Sequence, residues 1–352
     1  MRRTPLLFAL LALGLAPIAR AEIYELPPEG FDVIGAVSTI TARHEDTLVD
    51  IARRHGLGYE DVVRANPGVN VWLPGAGTEV VLPTRYVLPP GPRTGIVLNL
   101  AEYRMYYFPQ PAAGQPAYVM TYPISIGRMD WETPIGTTKV ISKVTNPAWY
   151  PPQSVRDEHA AAGKTLPRIV PPGPDNPLGQ FAMRLGLPGY LIHGTNRPAG
   201  VGMRVTHGCI RMFPEDIEYL FPQVGVNARV RIINEAVKMG WNGDELVVEV
   251  HPMLEASPPP STESVAADAQ VDAGETVASE MADEVISKDP LTIVTEKFID
   301  ATGERAGQLD WYLAEQIVGR ADGIPTSVGN STENIAASAS PIKNAATSAA
   351  SN

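Results

Sequence analysis

The sequence predicts a mainly β protein, a sandwich or barrel of short strands preceded by a small α+β unit. Three observations carry this. After Thr94, short runs rich in β-branched and aromatic residues recur between Gly and Pro turns. Before them, from Ser38 to Pro83, the apolar spacing passes from alternating to helical and back. Between Asn146 and Gly179 a Pro-rich stretch interrupts the strands and is too long for an ordinary connection.

Residues 1–21 read as an export signal. Arg2 and Arg3 form a charged start, an apolar core runs from Leu6 to Leu15, and Ala19-Arg20-Ala21 is a small-x-small site with cleavage expected after Ala21. The apolar core is shorter than the roughly 18 to 20 residues of a spanning helix, and Pro17 closes it.

In the α+β unit, taken as residues 38–84, Ser38 to Arg43 alternates as a strand. Asp46 is the expected N-cap of a helix with Leu48, Ile51 and Ala52 on one face, and Gly56 ends it. Tyr59 to Ala65 predicts a second helix, Asn66-Pro67-Gly68 a turn, and Glu79 to Leu82 the closing strand. Further on, strands are expected at Gly95 to Leu100, Arg104 to Phe108, Tyr118 to Ile126, Gly136 to Lys143, Gly189 to His193 and Ala228 to Ile233. The main helix of this region is expected from Pro214 to Phe221, with Glu215 and Asp216 suiting its first turn. The insertion carrying Trp149 and Tyr150 reads as a lid beside a site. Residues 256–288 are an acidic linker, an amphipathic helix is expected over Asp310 to Arg320 within a short region 289–328, and 329–352 read as a disordered tail.

Residues 255–352 hold 16 acids and five bases, which accounts for the whole formal charge of −11 and leaves the rest of the chain neutral. No basic surface for nucleic acid is indicated. Cys209 is the only cysteine of the 352 residues, so no internal disulfide can form. An odd cysteine in an exported chain points to a reactive thiol.

Its surroundings favour that reading. Cys209 lies in Thr206-His207-Gly208-Cys209-Ile210-Arg211, 16 positions after His193 in His193-Gly194-Thr195-Asn196. A thiol attacking a carbonyl needs a neighbour that takes its proton, and histidine does so near neutral pH. Residues two apart in an extended segment share a face, so His207 and Cys209 could enter one cleft, while His193 would arrive from another strand. Spacing alone leaves both histidines open as the base. The Gly208 and Cys209 amides are candidate oxyanion donors. Arg211 and Arg204 are candidate carboxylate anchors through paired hydrogen bonds, or members of structural ion pairs. An inert buried thiol is one rival reading; zinc held by His193, His207 and Cys209 is another, disfavoured because no carboxylate lies between His193 and Arg211 to act as base.

These runs, with Gly200-Val201-Gly202, Tyr122-Pro123-Ile124-Ser125-Ile126-Gly127, Thr133-Pro134-Ile135-Gly136 and Pro172-Gly173-Pro174-Asp175-Asn176-Pro177-Leu178-Gly179, resemble the L,D-transpeptidases with a YkuD domain, in the periplasmic ErfK/YbiS group. Thr206 stands where that group often has Ser. Asp46-Thr47-Leu48, Ile51-Ala52, Asn66-Pro67 and Val80-Val81-Leu82-Pro83 resemble a LysM module. The resemblance implies a YkuD-type β-sandwich catalytic domain over 94–235, a C-terminal extension over 236–255, and no metal or diffusible cofactor. It implies Cys209 as nucleophile, His193 as proton donor and acceptor with its ring oriented by the Gly194 carbonyl, and His207 and Gly208 on the oxyanion side. Arg211, Arg204, Thr206, Asn196 and Trp149 are the expected substrate contacts. Implied partners are peptidoglycan stem peptides, glycan strands through the LysM-like module, and a Braun-type outer-membrane lipoprotein as one acceptor. Diaminopimelate of another stem, or water in a carboxypeptidase or detaching hydrolase, is the alternative; a wall-binding protein with an idle site is the non-catalytic one.

Overall fold

A computed structural model describes residues 22–129, 131–254 and 289–332. The expected export signal, the acidic linker and most of the expected tail lie outside the described residues.

The chain starts with β1 (Glu22–Glu25) and β2 (Val33–Gly35), then β3 (Ser38–Thr41), α1 (Leu48–Arg54), α2 (Tyr59–Ala65), β4 (Glu79–Leu82) and β5 (Arg85–Val87). β3 and β4 pair antiparallel with Ser38 opposite Leu82, and Leu48, Ile51, Leu57, Val62, Val80 and Leu82 form the small core beneath α1 and α2. Asp46 does not cap α1. Thr47 does, in a reciprocal box with Asp50, while Asp46 accepts from the Arg43 amide and pairs with Arg54 at 2.6 Å. Gly56, at φ +60, lets the chain leave α1. The buried Asn66 side chain donates to Val62 O and Val81 O and accepts from Val81 N, joining α2 to β4.

The central region follows: β6 (Gly95–Asn99), β7 (Arg104–Phe108), β8 (Tyr118–Pro123), β9 (Ile126–Gly127), β10 (Gly136–Thr145), α3 (Gln153–Ala161), β11 (Phe181–Leu185), β12 (Leu191–His193), β13 (Arg204–Thr206), β14 (Ile210–Arg211), α4 (Pro214–Leu220) and β15 (Arg229–Ile233). Nine strands form one sheet in the order β1-β8-β7-β6-β15-β10-β11-β12-β14. A register shift between Val140 and Ser142 bends β10, so the sheet curls over itself. Ile96, Leu98, Met105 and Met120 from one side therefore share a core with Met183, Leu185, Ile192 and Ile210 from the other. The outermost strand opposite β14 is β1, which no sequence pattern indicated.

The C-terminal part differs from expectation. Residues 236–254 are not an extension of the central sheet: β16 (Val237–Asn242) and β17 (Glu245–Val250) join β18 (Gly307–Leu309) and β19 (Thr326–Ser331) in a second sheet, order β16-β17-β19-β18. The last strand runs past residue 328 into the expected tail. α5 (Pro290–Thr302) and α6 (Trp311–Arg320) supply Val294, Ala314 and Ile317 to its core. Both helices start at an aspartate cap, Asp289 and Asp310. Among the described residues, no helix is long and apolar enough to cross a membrane.

A buried polar cluster joins the three parts. Lys238 of β16 donates to Glu102, to Val87 O and to Tyr106, and lies 3.1 Å from Glu249, while the Val87 amide donates to Glu249 at 2.6 Å. His251 reaches Glu249 at 2.7 Å.

Candidate active site

The register of two short strands decides which side chains meet. β12 and β14 run parallel with Ile192 opposite Ile210 and His193 opposite Arg211. Ile192 and Ile210 both point into the core. Alternation then puts His193, Arg211 and Cys209, two positions before Arg211, on the other face. The sulfur lies 3.5 Å from Gly189 O.

His193 is 5% exposed, and its Nδ1 lies 2.6 Å from Gly194 O. A carbonyl only accepts, so Nδ1 carries the hydrogen and Nε2 is left with its lone pair. Burial first, then the Arg211 charge, lowers the His193 pKa from 6.5 to about 4, against the opposing Gly194 bond. Burial pushes the Cys209 thiol above its ordinary range, although the Leu191 backbone and Arg211 pull the other way. The resting pair at neutral pH is thus thiol and neutral imidazole.

This has a stability consequence with a definite sign. The folded pKa of His193 lies below its unfolded value, so between pH 6.5 and about 4 the unfolded chain binds the proton more readily. The contribution is complete above pH 6.5 and is lost as pH falls toward 4. His193→Gln is expected to reduce the loss of stability that urea unfolding shows across that interval by on the order of 1–3 kcal/mol, and the buried His251, whose pKa is likewise lowered to about 4, accounts for a further part that the variant retains.

The turn before the cysteine is held from two sides. Thr206 Oγ1 donates to Cys209 O at 2.6 Å and Thr133 Oγ1 donates to Gly208 O at 2.8 Å. A peptide plane is rigid and trans, so anchoring the Gly208 carbonyl also fixes the direction of the Cys209 N–H. Gly208 sits at φ +95, and a Cβ there would approach Tyr190 to 2.8 Å. Gly208→Ala is expected to lower kcat/KM on the order of 10²-fold by moving the turn, while chemical unfolding shows a loss of only about 1–2 kcal/mol. A Cβ on Gly127 would lie 1.9 Å from Trp131 O and 2.9 Å from Gly208 Cα, so the backbone after β9 can approach the cysteine turn only with glycine at 127. The α+β unit abuts the same region, since Tyr59 N donates to Val201 O and Arg53 forms a two-bond pair with Glu215 at the start of α4.

The other sequence-predicted residues divide. Burial first, then the nearby Arg197 charge, lowers the Arg211 pKa, and its Nε is buried with no hydrogen-bond partner. Arg204 is engaged in the scaffold: Nε donates to Gly127 O at 3.1 Å and Nη2 lies 3.4 Å from Glu132. Thr206 is turned into the cysteine loop rather than toward a ligand. Asn196 donates to Asp175 O at 3.0 Å, linking the His193 run to the end of the insertion, and Trp149 forms a β-bridge with Val170 at the insertion's base.

His207 turns to the insertion. Its Nε2 lies 2.8 Å from Glu158 of α3, which also takes Arg128 Nη2 at 2.6 Å, and Trp131 packs edge-on against the ring. Glu158 and Arg128 escaped the sequence reading, as did Thr133, although Thr133 lay in a run already singled out. The zinc arrangement does not form: among the described residues, the grouping whose potential ligand atoms lie within 4.8 Å of one another is Glu102, Glu249 and His251.

Residues 93–232 match the family model of the L,D-transpeptidase catalytic domain, YkuD. The chain is 43% identical over 258 residues to the probable L,D-transpeptidase ErfK/SrfK of Salmonella typhimurium, covering 72% of this chain and 82% of that protein. It is 40% identical over 247 residues to the probable L,D-transpeptidase YbiS of Escherichia coli, covering 69% and 79%, and 42% identical over 250 residues to YcfS of the same organism, covering 69% and 77%. The chain belongs to the L,D-transpeptidase family, with a YkuD catalytic domain over residues 93–232.

Proposed function

We propose that Cys209 is the acyl-carrying nucleophile of a peptidoglycan L,D-transpeptidase acting on tetrapeptide stems. The observation that carries the reading is the register of β12 and β14, which sets His193 opposite Arg211, with Cys209 at the entry to β14 and alternation turning it to the same face. The His193 imidazole takes the thiol proton as sulfur attacks the carbonyl of the third stem residue, meso-diaminopimelate. The Gly208 and Cys209 amides stabilise the developing oxyanion. Collapse breaks the amide bond, D-alanine leaves with the proton held on His193, and a thioester remains. An acceptor amine then attacks the thioester, its proton passes through His193, and the thiol is restored. The buried, unpartnered Arg211 Nε suits it to a stem carboxylate.

Three finer assignments belong to the same reading. The chain is exported to the periplasm with its signal removed after Ala21. Residues 38–84 act as a LysM module on glycan; Trp72 is 62% exposed beside Leu73 and offers a ring face for sugar stacking. The preferred acceptor is the C-terminal lysine of a Braun-type lipoprotein, ahead of diaminopimelate or water.

The test is incubation of the enzyme with a tetrapeptide stem and, separately, a lysine-terminated lipoprotein peptide or a second stem. D-alanine release with a peptide conjugate is expected, and cells lacking the enzyme should lose lipoprotein-linked muropeptides. A change confined to 3-3 dimers would contradict the lipoprotein preference.

A further inference from the structure

The insertion helix brings an acidic side chain to a guanidinium and an imidazole beside the cysteine turn. Arg128 follows Gly127, whose backbone abuts Gly208, and the Arg128 amide donates to Thr206 O at 3.0 Å. Its guanidinium therefore sits against the segment that carries His207. Glu158 Oε2 accepts from both, at 2.6 Å from Arg128 Nη2 and 2.8 Å from His207 Nε2. One oxygen thus takes both donors, and Arg128 Nε is buried with no hydrogen-bond partner. A guanidinium normally offers Nε and Nη2 together to the two oxygens of a carboxylate. Glu158 uses half of that fork, so a better-seated carboxylate gains a bond that Glu158 leaves unmade.

From this, and resting on the stem-peptide reading above, we propose that Arg128 and His207 form a carboxylate-binding subsite beside Cys209, occupied by Glu158 as an internal stand-in. A free carboxylate of the stem peptide displaces Glu158, takes Nε and Nη2 of Arg128, and releases α3 from His207. The low carboxyl pKa of Glu158, held at about 2 by Arg128 and then His207, keeps it charged and competing at any physiological pH. Arg211 comes from β14 and Arg128 from the segment after β9, so the two arginines reach the ligand from different elements. Glu158 is a specificity-determining residue in this scheme, since a ligand lacking the carboxylate has nothing with which to lift α3.

Binding of the synthetic stem L-Ala-γ-D-Glu-meso-diaminopimelyl-D-Ala, measured calorimetrically on a Cys209→Ala background, separates the subsite from the chemistry. Adding Glu158→Gln is expected to tighten binding roughly three- to fivefold, the range of a partly exposed ion pair. It should have no such effect on a stem whose free carboxyl groups are carboxamides, and Arg128→Gln should remove the gain in the double variant. Glu158→Asp, which keeps the charge on a shorter arm, controls for folding and should bind no tighter than the parent. Equal tightening for the amidated stem, or none for the free acid while the parent binds, overturns the subsite alone. Failure of every variant to bind the stem overturns the subsite together with the donor assignment.

Discussion

Cys209→Ala is expected to reduce D-alanine release from tetrapeptide stems on the order of 10⁴-fold or more, without loss of folding. The size follows from the role: without sulfur no thioester forms, and water offers no comparable nucleophile at that position. Folding should survive because the side chain lies on the face away from the core of Ile192 and Ile210. Its sulfur contacts are to backbone, Gly189 O at 3.5 Å and the Leu191 backbone, so the substitution leaves no side chain without a partner there. Steady-state D-alanine release and circular dichroism of the two proteins check both halves. Comparable turnover by the variant would remove Cys209 from the mechanism.

The largest stability effect is expected at the buried cluster around Lys238. Lys238→Met leaves Glu102 and Glu249, both 1% exposed, without the ammonium that stands between them. Burial is the main cause that raises the Glu102 pKa, and the Lys238 charge is the largest cause opposing it. Removing one partner of a buried ionic group costs about 3–5 kcal/mol. Urea unfolding should show a loss of that size, and a loss below about 1 kcal/mol would contradict the account of the cluster. The partial remedy is equally specific: adding Glu102→Gln removes one unpaired charge and should recover part of the loss. Because Val87, Glu102 and Lys238 come from three different parts of the chain, the single variant should also loosen their docking.

What the sequence disclosed follows from how local each signal was. The helix Tyr59–Ala65 and the strand Glu79–Leu82 were legible because the turn at Asn66-Pro67-Gly68 and the apolar run Val80-Val81-Leu82 act over a few residues. The N-cap of α1 was misplaced by one residue because Asp46 and Thr47 are both good caps, and only the pairing of Asp46 with Arg54 settles which is free. The helix Gln153–Ala161 was read as part of an irregular lid; it buries only Val155 and carries no apolar stripe, so tertiary contacts through Glu158 hold it. The sheet that unites β16 and β17 with β18 and β19 was invisible because its halves are separated by the acidic linker. The cysteine and histidine runs were legible as a set, yet their chemistry was not fully sorted by spacing. The register of β12 against β14 puts His193 on the face of Cys209, whereas His207 is drawn to Glu158. Likewise Arg211 and Arg204 looked alike in sequence, and only their surroundings separate an unpartnered guanidinium Nε from one bonded to Gly127 O.

The central claim is a covalent acyl group on Cys209. Intact-mass spectrometry of the enzyme quenched in acid during turnover of a tetrapeptide stem measures it directly. The account predicts an added mass equal to the stem minus D-alanine, mapped by proteolysis to the peptide containing Cys209 and absent from Cys209→Ala. D-alanine release with no adduct at any quench time, or an adduct that persists in Cys209→Ala, would contradict it.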